Sequence, residues 1–470
     1  MPETHGERAK TQRGLEATPQ SPTTNGRFGR MFRTLLVFEP DDALLKQLAG
    51  QMSESGTGSG GDNPNIPAGF TYFGQFVDHD ITFDPVSNLQ KQNDPEALRD
   101  FRTPRFDLDS LYGAGPADSP FLYDEGSGGT ELLVGRNPKQ DDDGDELERD
   151  DLPRNQQGTA LIGDPRNDEN VIVSQLHLSM IRFHNRVAKR VANRQGLEGG
   201  ELFKEAQRVV RWHYQWVVIH DFLERLVGAN VVNQLLTPTK TPKVNLQFYK
   251  PKKNAFMPVE FSVAAYRFGH SMVRPTYKIN KPVPELPIFS GRRKPAPRED
   301  FHGFRRLPSQ WTLDWTFFFD VGGGKSRQQT RKIDTKLAEG LHHLPGERGD
   351  IASLPLRNLR RGKALGLPSG QDVAGAIGAT PLTKQQLGFD GPAPLWFYIL
   401  REAELKQNGQ RLGEVGARIV AETLLGLLDR DPLSYLSVKP TWTPDLPTEQ
   451  QNDFTMADLL EFAVPDQTKR

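Results

Sequence analysis

The chain has 470 residues, enough to bury a large core without covalent staples. Its 59 Lys and Arg nearly balance 60 Asp and Glu, giving a net charge of −1, so neither nucleic acid nor an anionic membrane surface is an expected partner. Cysteine is absent, which excludes disulfides, thiolate metal sites and cysteine nucleophiles and is compatible with either redox compartment.

Residues 1–30 begin MPETHGERAK and contain no apolar h-region; they read as a disordered tail rather than a secretory signal. No apolar run is long enough to span a membrane. The expected location is therefore the cytoplasm, or outside the cell by a non-classical export route. Residues 31–465 read as one large irregular domain, mainly α with little β, because 44 Gly and 36 Pro break the chain into many loops.

Residues 53–69 read as a flexible loop. FTYFGQFVDHD follows at 70–80, dense in aromatics, and predicts a short helix over 70–82. On a helix Gln75 and His79 share a face, Asp78 lies beside it and Asp80 turns away. A partly buried His with a Gln partner suits general-base chemistry, and a carboxylate beside it needs a partner. Taken alone, the stretch also fits a surface helix end.

RTPRFDLDSLYG, 102–113, places Thr103, Arg105, Asp107 and Asp109 at alternate positions. An extended segment would aim a hydroxyl, a carbonyl and two carboxylates one way, a set that suits a hard cation such as calcium, with Asp80 adding an oxygen. An exposed acidic turn is the other reading. The acidic run at 136–157 fails EF-hand spacing and reads as a solvated loop.

LIGDPRNDEN, 161–170, puts Arg166 and Glu169 at i and i+3 of a helix start, where an acidic residue also simply favours the dipole. Two long helices follow, over 168–196 and 200–228, each closed by Gly and expected to pair antiparallel. His177 and His184, like His213 and His220, are seven apart without a Glu-x-x-His pattern, so they read as packing histidines. Residues 235–345 are Pro-rich and irregular, with a short helix containing FSVAAYRFGHSMV. There His270 follows Gly269, which admits close approach of a flat ligand or another backbone; a lone His also reads as a satisfied core residue. Asn358 falls in a basic loop, SLPLRNLRRGKALGLPSG, where asparagines usually cap or turn the backbone. Helices over 394–407 and 411–429 and a last short one at TMADLLEFA close the chain.

In this order the pieces FGQFVDHDITF, TPRFDLDSLYG, GDPRNDEN, RFHNRVA, YRFGH, NLRRGKALGLP, PLWFYILREAE and RLGEVGARIVAE resemble the animal-type haem peroxidases of the peroxidase–cyclooxygenase superfamily. The resemblance runs from about residue 65 to 430. It implies a haem peroxidase of the myeloperoxidase and peroxidasin kind, with haem b and Ca2+ as cofactors. His79 matches the distal histidine, Gln75 its neighbour and Arg166 the distal arginine. Asp78 and Glu169 match carboxylates that form ester links to haem. His270 matches the proximal iron ligand and Asn358 the acceptor for its other ring N–H. Asp80, Thr103, Arg105 through its carbonyl, Asp107 and Asp109 match calcium ligands.

The implied partners are H2O2 and a small anion (bromide, iodide or thiocyanate) or a phenolic donor. Asn170 stands where strongly halogenating relatives carry a methionine bonded to haem, so chloride oxidation is not expected. The missing disulfides and signal depart from secreted relatives and fit a bacterial origin. Two alternatives are a fatty-acid oxygenase of the same superfamily and a non-catalytic adhesion protein that keeps the fold. The oxygenases carry a radical-forming tyrosine three residues before the proximal histidine, where this chain has Arg267, and they lack an equivalent of Arg166.

Overall fold

The computed structural model describes residues 26–54, 61–82, 99–100, 104–136, 150–237, 239, 242–252, 254–292, 295–296, 298–308, 310–323, 327–449 and 453–465. Thr103, most of the N-terminal tail and most of the acidic run at 136–157 lie outside these residues. The architecture is mainly helical, with only short strands that pair in twos and threes. No described helix is long and apolar enough to cross a membrane.

At the centre lies α1, Gly69–Ile81. Phe70, Tyr72, Phe73, Phe76, Val77 and Ile81 are buried on all sides of it, the pattern of a helix sunk in the core rather than one with a wet face. Aromatic edges fix its rotation: Phe73 meets Phe222 at 5.5 Å and Tyr214 at 6.1 Å, both T-shaped. The long helices α2, Val171–Gln195, and α3, Gly199–Trp216, pack side by side as their patterns predict. α2 starts on an Asn170 side chain that accepts from the Val173 N–H, and stops at Gly196, whose φ of 65° only glycine adopts readily. α3 runs on through a π-helical stretch, Val217–Leu223, and a last α-turn, Glu224–Val227.

Four later helices enclose this centre: α4, Leu354–Ala364, α5, Leu395–Gln407, α6, Glu414–Arg430, and α7, Met456–Ala463. The helix expected around FSVAAYRFGHSMV divides instead. An α-turn over Val259–Val263 ends at Ala264 (φ −128°), and a 3-10 helix, Ala265–Met272, carries His270.

Three other expectations need correction. Asn358 sits on α4, not in a loop, because Ser353 caps the helix and Pro355 occupies its first turn, where no N–H is needed. Arg105, Asp107 and Asp109 do not lie on one extended segment: the chain turns at Leu108 (φ 62°) and Asp109 begins a helical turn, Asp109–Tyr112. Within the supposed loop at 53–69, Asp62–Pro67 is a strand, paired antiparallel with Gln329–Arg331.

Candidate active site

The C-terminal half of α1 meets the segment that enters α2. His79 is buried, and its Nδ1 lies 2.8 Å from the Asn167 Oδ1. The Asn167 Nδ2 lies 3.0 Å from the Nδ1 of His177. The Gln75 amide nitrogen donates to the Glu169 carboxylate, while its oxygen accepts from the Asn170 Nδ2 at 3.2 Å. Asn170 thus caps α2 with its oxygen and holds Gln75 with its nitrogen. Arg166 rides on a 3-10 turn, Pro165–Asp168. Asp164 accepts from its backbone N–H at 2.9 Å, its Nε at 3.1 Å and its Nη2 at 2.8 Å. Nη2 also donates to the carbonyls of His79, at 3.1 Å, and Thr82. The guanidinium is therefore anchored against the very helix end that presents His79.

Two features pin this segment from outside. Arg154 forks onto Asp168 at 2.6 and 2.7 Å and reaches Asp151 at 3.0 Å, with side chains at most 4% exposed. Burial would lower the Arg154 pKa, but Asp168 and Asp151 outweigh it and hold the charge on. Asp151 itself is buried, unlike the solvated loop expected there. On the other side Gly303 donates its N–H to the Glu169 carbonyl at 2.9 Å, and a Cβ at Gly303 would stand 1.8 Å from the Asp168 carbonyl oxygen. Because backbone cannot yield as a side-chain tip does, Gly303→Ala is expected to cost about 1–3 kcal/mol in denaturant unfolding. Unchanged stability would mean that the segment is not held by this contact.

A second set of contacts surrounds His270. Its Nδ1 is 2.8 Å from the Asn358 Nδ2, while the Asn358 Oδ1 accepts from Arg267 at 3.0 Å. This reverses the expected arrangement, in which the Asn358 oxygen faces His270; here Arg267 draws that oxygen to itself. Arg267 also donates from Nε to the Ser262 carbonyl at 3.1 Å, and Trp396 on α5 donates to the Arg267 carbonyl at 3.2 Å. The Tyr266 hydroxyl donates to the Gly74 carbonyl at 3.2 Å, tying the His270 segment directly to α1.

Electrostatics join the two halves. Burial raises the Asp78 pKa, and both Arg166 and Arg267 oppose the rise, so this carboxyl lies within electrostatic reach of both guanidiniums. Burial pushes Glu169 up to about 7, with Asp78 adding to the rise. Burial lowers Arg267 to about 10, and Asp78 opposes that. His270 is lowered to about 3, first by burial and then by Arg267 and Arg357, so the imidazole is neutral. Asp78, Glu169, Arg267 and His270 are surrounded by protein, yet each keeps part of its surface open. Among the described residues, apart from its chain neighbours, nothing lies within 4 Å of where a Cβ on Gly269 would stand.

Sequence reasoning missed Asn167, Asp164 and Arg267 as members of this site and left His177 as a packing residue. His184 does behave as a packing residue, with Nδ1 on the Tyr112 hydroxyl and Nε2 on the Thr130 carbonyl, both at 3.0 Å.

The carboxylates expected to bind calcium form a looser group. Asp80, Asp107 and Asp431 are buried, and the Asp107 pKa is raised well above its ordinary value by burial and by the charges of Asp109, Asp80 and Asp431. The Arg105 side chain points to Asp431, 4.0 Å away. Among the described residues no three His, Cys, Asp or Glu side chains form a ready metal site.

The fold is that of the peroxidase–cyclooxygenase superfamily. Peroxidase A from Dictyostelium discoideum superposes with a TM-score of 0.64 at 16% identity, covering 88% of each chain. A fatty acid alpha-dioxygenase from Arabidopsis thaliana gives the same TM-score at 15% identity, over 95% of this chain and 78% of the other. The sequence narrows the class. Residues 89–386 match the profile described as animal haem peroxidase, and the chain belongs to that family. Arg166, Glu169, His270 and Asn358 lie inside the matched stretch; Gln75, Asp78 and His79 lie just before it. Peroxidasin from Drosophila melanogaster is 22% identical over 319 residues, 61% of this chain and 19% of its own length. Thyroid peroxidase from Sus scrofa is 26% identical over 290 residues, 58% of this chain and 30% of its own length. The chain thus corresponds to less than a third of either curated relative.

Proposed function

We propose that the protein is a peroxidase that binds haem b between His79 and His270, reduces H2O2, and oxidises bromide, iodide, thiocyanate or an aromatic donor. The observation that carries this reading is that buried Asp78, beside His79, feels both Arg166 and Arg267, and Arg267 lies three residues before the neutral, partly open imidazole of His270. Open space at Gly269 and the cluster of Arg267 with the nearby cations Arg357 and Arg361 suit a flat dianionic ligand. Bound haem would supply an iron able to accept two oxidising equivalents from peroxide.

His270 would ligate through Nε2, which leaves a proton on Nδ1 and calls for the Asn358 oxygen, one amide turn from the observed orientation. His79 would take a proton from H2O2 and return it to the leaving oxygen. Arg166, anchored by Asp164, would stabilise the negative charge that develops between these steps. Asp78 and Glu169 would supply the carboxylates for ester links. Spectra before and after H2O2, followed by acid-acetone extraction, test the reading. A Soret band that shifts with peroxide is expected, with pigment retained by the turned-over protein and released from an Asp78→Asn, Glu169→Gln variant. A wild-type protein without a Soret band, or with one that ignores peroxide, would overturn it.

Calcium fits the repulsion among Asp80, Asp107 and Asp109, which a hard cation relieves. Asp80 directly follows His79, so chelation by EGTA is expected to lower the melting temperature and Ca2+ to restore it; an unmoved melting temperature would remove calcium from the proposal.

The dioxygenase likeness supports a second reading, fatty-acid oxygenation. Arg267, bonded to Asn358 and Ser262, stands three residues before His270, and Tyr266 commits its hydroxyl to Gly74. Oxygen uptake with linoleate in the absence of peroxide would favour the oxygenase.

A further inference from the structure

Asn167 lies between two imidazoles on different elements and is fully buried, at 0% exposure. Its neighbours on the 3-10 turn are fastened on both sides, Arg166 by Asp164 and Asp168 by Arg154, and its own N–H donates to the Asp164 carbonyl at 3.1 Å. Its amide therefore has little freedom except to turn end for end. An amide oxygen only accepts and an amide nitrogen only donates. With Oδ1 on His79, the proton of His79 resides on Nδ1 and the lone pair on Nε2. With Nδ2 on His177, the Nδ1 of His177 is bare and its proton resides on Nε2. The reversed amide would satisfy the same two contacts with both tautomers exchanged, and His79 would then carry a proton on Nε2.

We infer that Asn167 and His177 form a positioning relay that sets which ring nitrogen of His79 carries the proton; this rests on the reading of His79 as the base for peroxide. His177 suits an anchoring role. It is 1% exposed and packed edge-on against Phe76 at 5.9 Å, and burial holds its pKa down to about 3, so the ring is neutral and keeps one acceptor nitrogen for the Asn167 amide. A base that must take a proton on Nε2 needs that nitrogen bare, and the relay delivers this from the far side of the ring. Asn167 and His177 touch no reacting atom.

The test uses the holoprotein with Asn167→Leu and Asn167→Asp, read by stopped-flow reaction with H2O2 per haem, donor KM, and the His79 tautomer from histidine-selective 15N NMR in the diamagnetic ferrous carbonyl form. Asn167→Leu is expected to lower the peroxide rate by about 10–100-fold with donor KM unchanged, and to mix the His79 tautomers. Asn167→Asp keeps an acceptor and is expected to restore the Nδ1–H form and most of the rate. If Asn167→Leu fails to fold, His177→Leu against His177→Asn, which keeps an acceptor near the Nδ1 position, makes the same comparison. A wild-type His79 protonated on Nε2, or an Asn167→Leu protein with unchanged rate and tautomer, overturns the relay. A wild type without haem defeats the peroxidase reading instead, and the tautomer is then read on the haem-free chain.

Discussion

Replacing His79 with leucine is expected to slow the reaction with H2O2 by about 10²–10⁴-fold, the ordinary worth of a positioned acid–base group. The substitution is nearly volume-conserving, so the aromatic packing of α1 should persist. The Asn167 oxygen loses its donor, a further cost of about 1–3 kcal/mol in stability. The Gln75–Glu169 hydrogen bond is untouched, so haem content should be that of the parent. Stopped-flow absorbance at equal haem measures the rate. A variant within tenfold of the parent would remove His79 from the chemistry and leave Arg166 as the group to test next.

Arg154→Met is expected to lower unfolding free energy by about 3–5 kcal/mol, because it leaves Asp168 buried beside a second carboxylate without its cation. Asp151 retains the N–H groups of Leu152, at 2.7 Å, and Leu307, at 3.0 Å, so Asp168 bears most of the loss. Adding Asp168→Leu should recover a large part, since removing both partners of a buried pair is often close to neutral. Urea titration of the two variants decides this. Equal destabilisation of single and double variants would show that the fork does not act as a pair.

Most of the local structure was legible in the sequence. FTYFGQFVDHD reads as a short helix and forms one, though sunk in the core rather than at a surface end, and Gly196 marks the end of α2. Features that depend on distant partners were not legible. Asp62–Pro67 contains two prolines and two asparagines and becomes a strand only because residues 329–331 come alongside. Asn358 was misplaced because its Pro and Gly neighbours suggested a loop, although Ser353 followed by Pro355 is a helix-start signal. Leu108 adopts a left-handed backbone, which no propensity favours. Asn167 and Arg267 acquire their partners 88 and 91 residues away in the chain, and no periodicity reports such pairings.

The double commitment of Asn170 restricts how this lineage could change. A thioether at that position would forfeit about 0.5–2 kcal/mol of helix-initiating energy and also release the glutamine one turn before His79. Acquiring a sulfur bond to the porphyrin would thus require two compensating replacements at once, one to restart the long helix and one to re-secure that glutamine. The side chain that begins α2 therefore resists replacement at both of its ends.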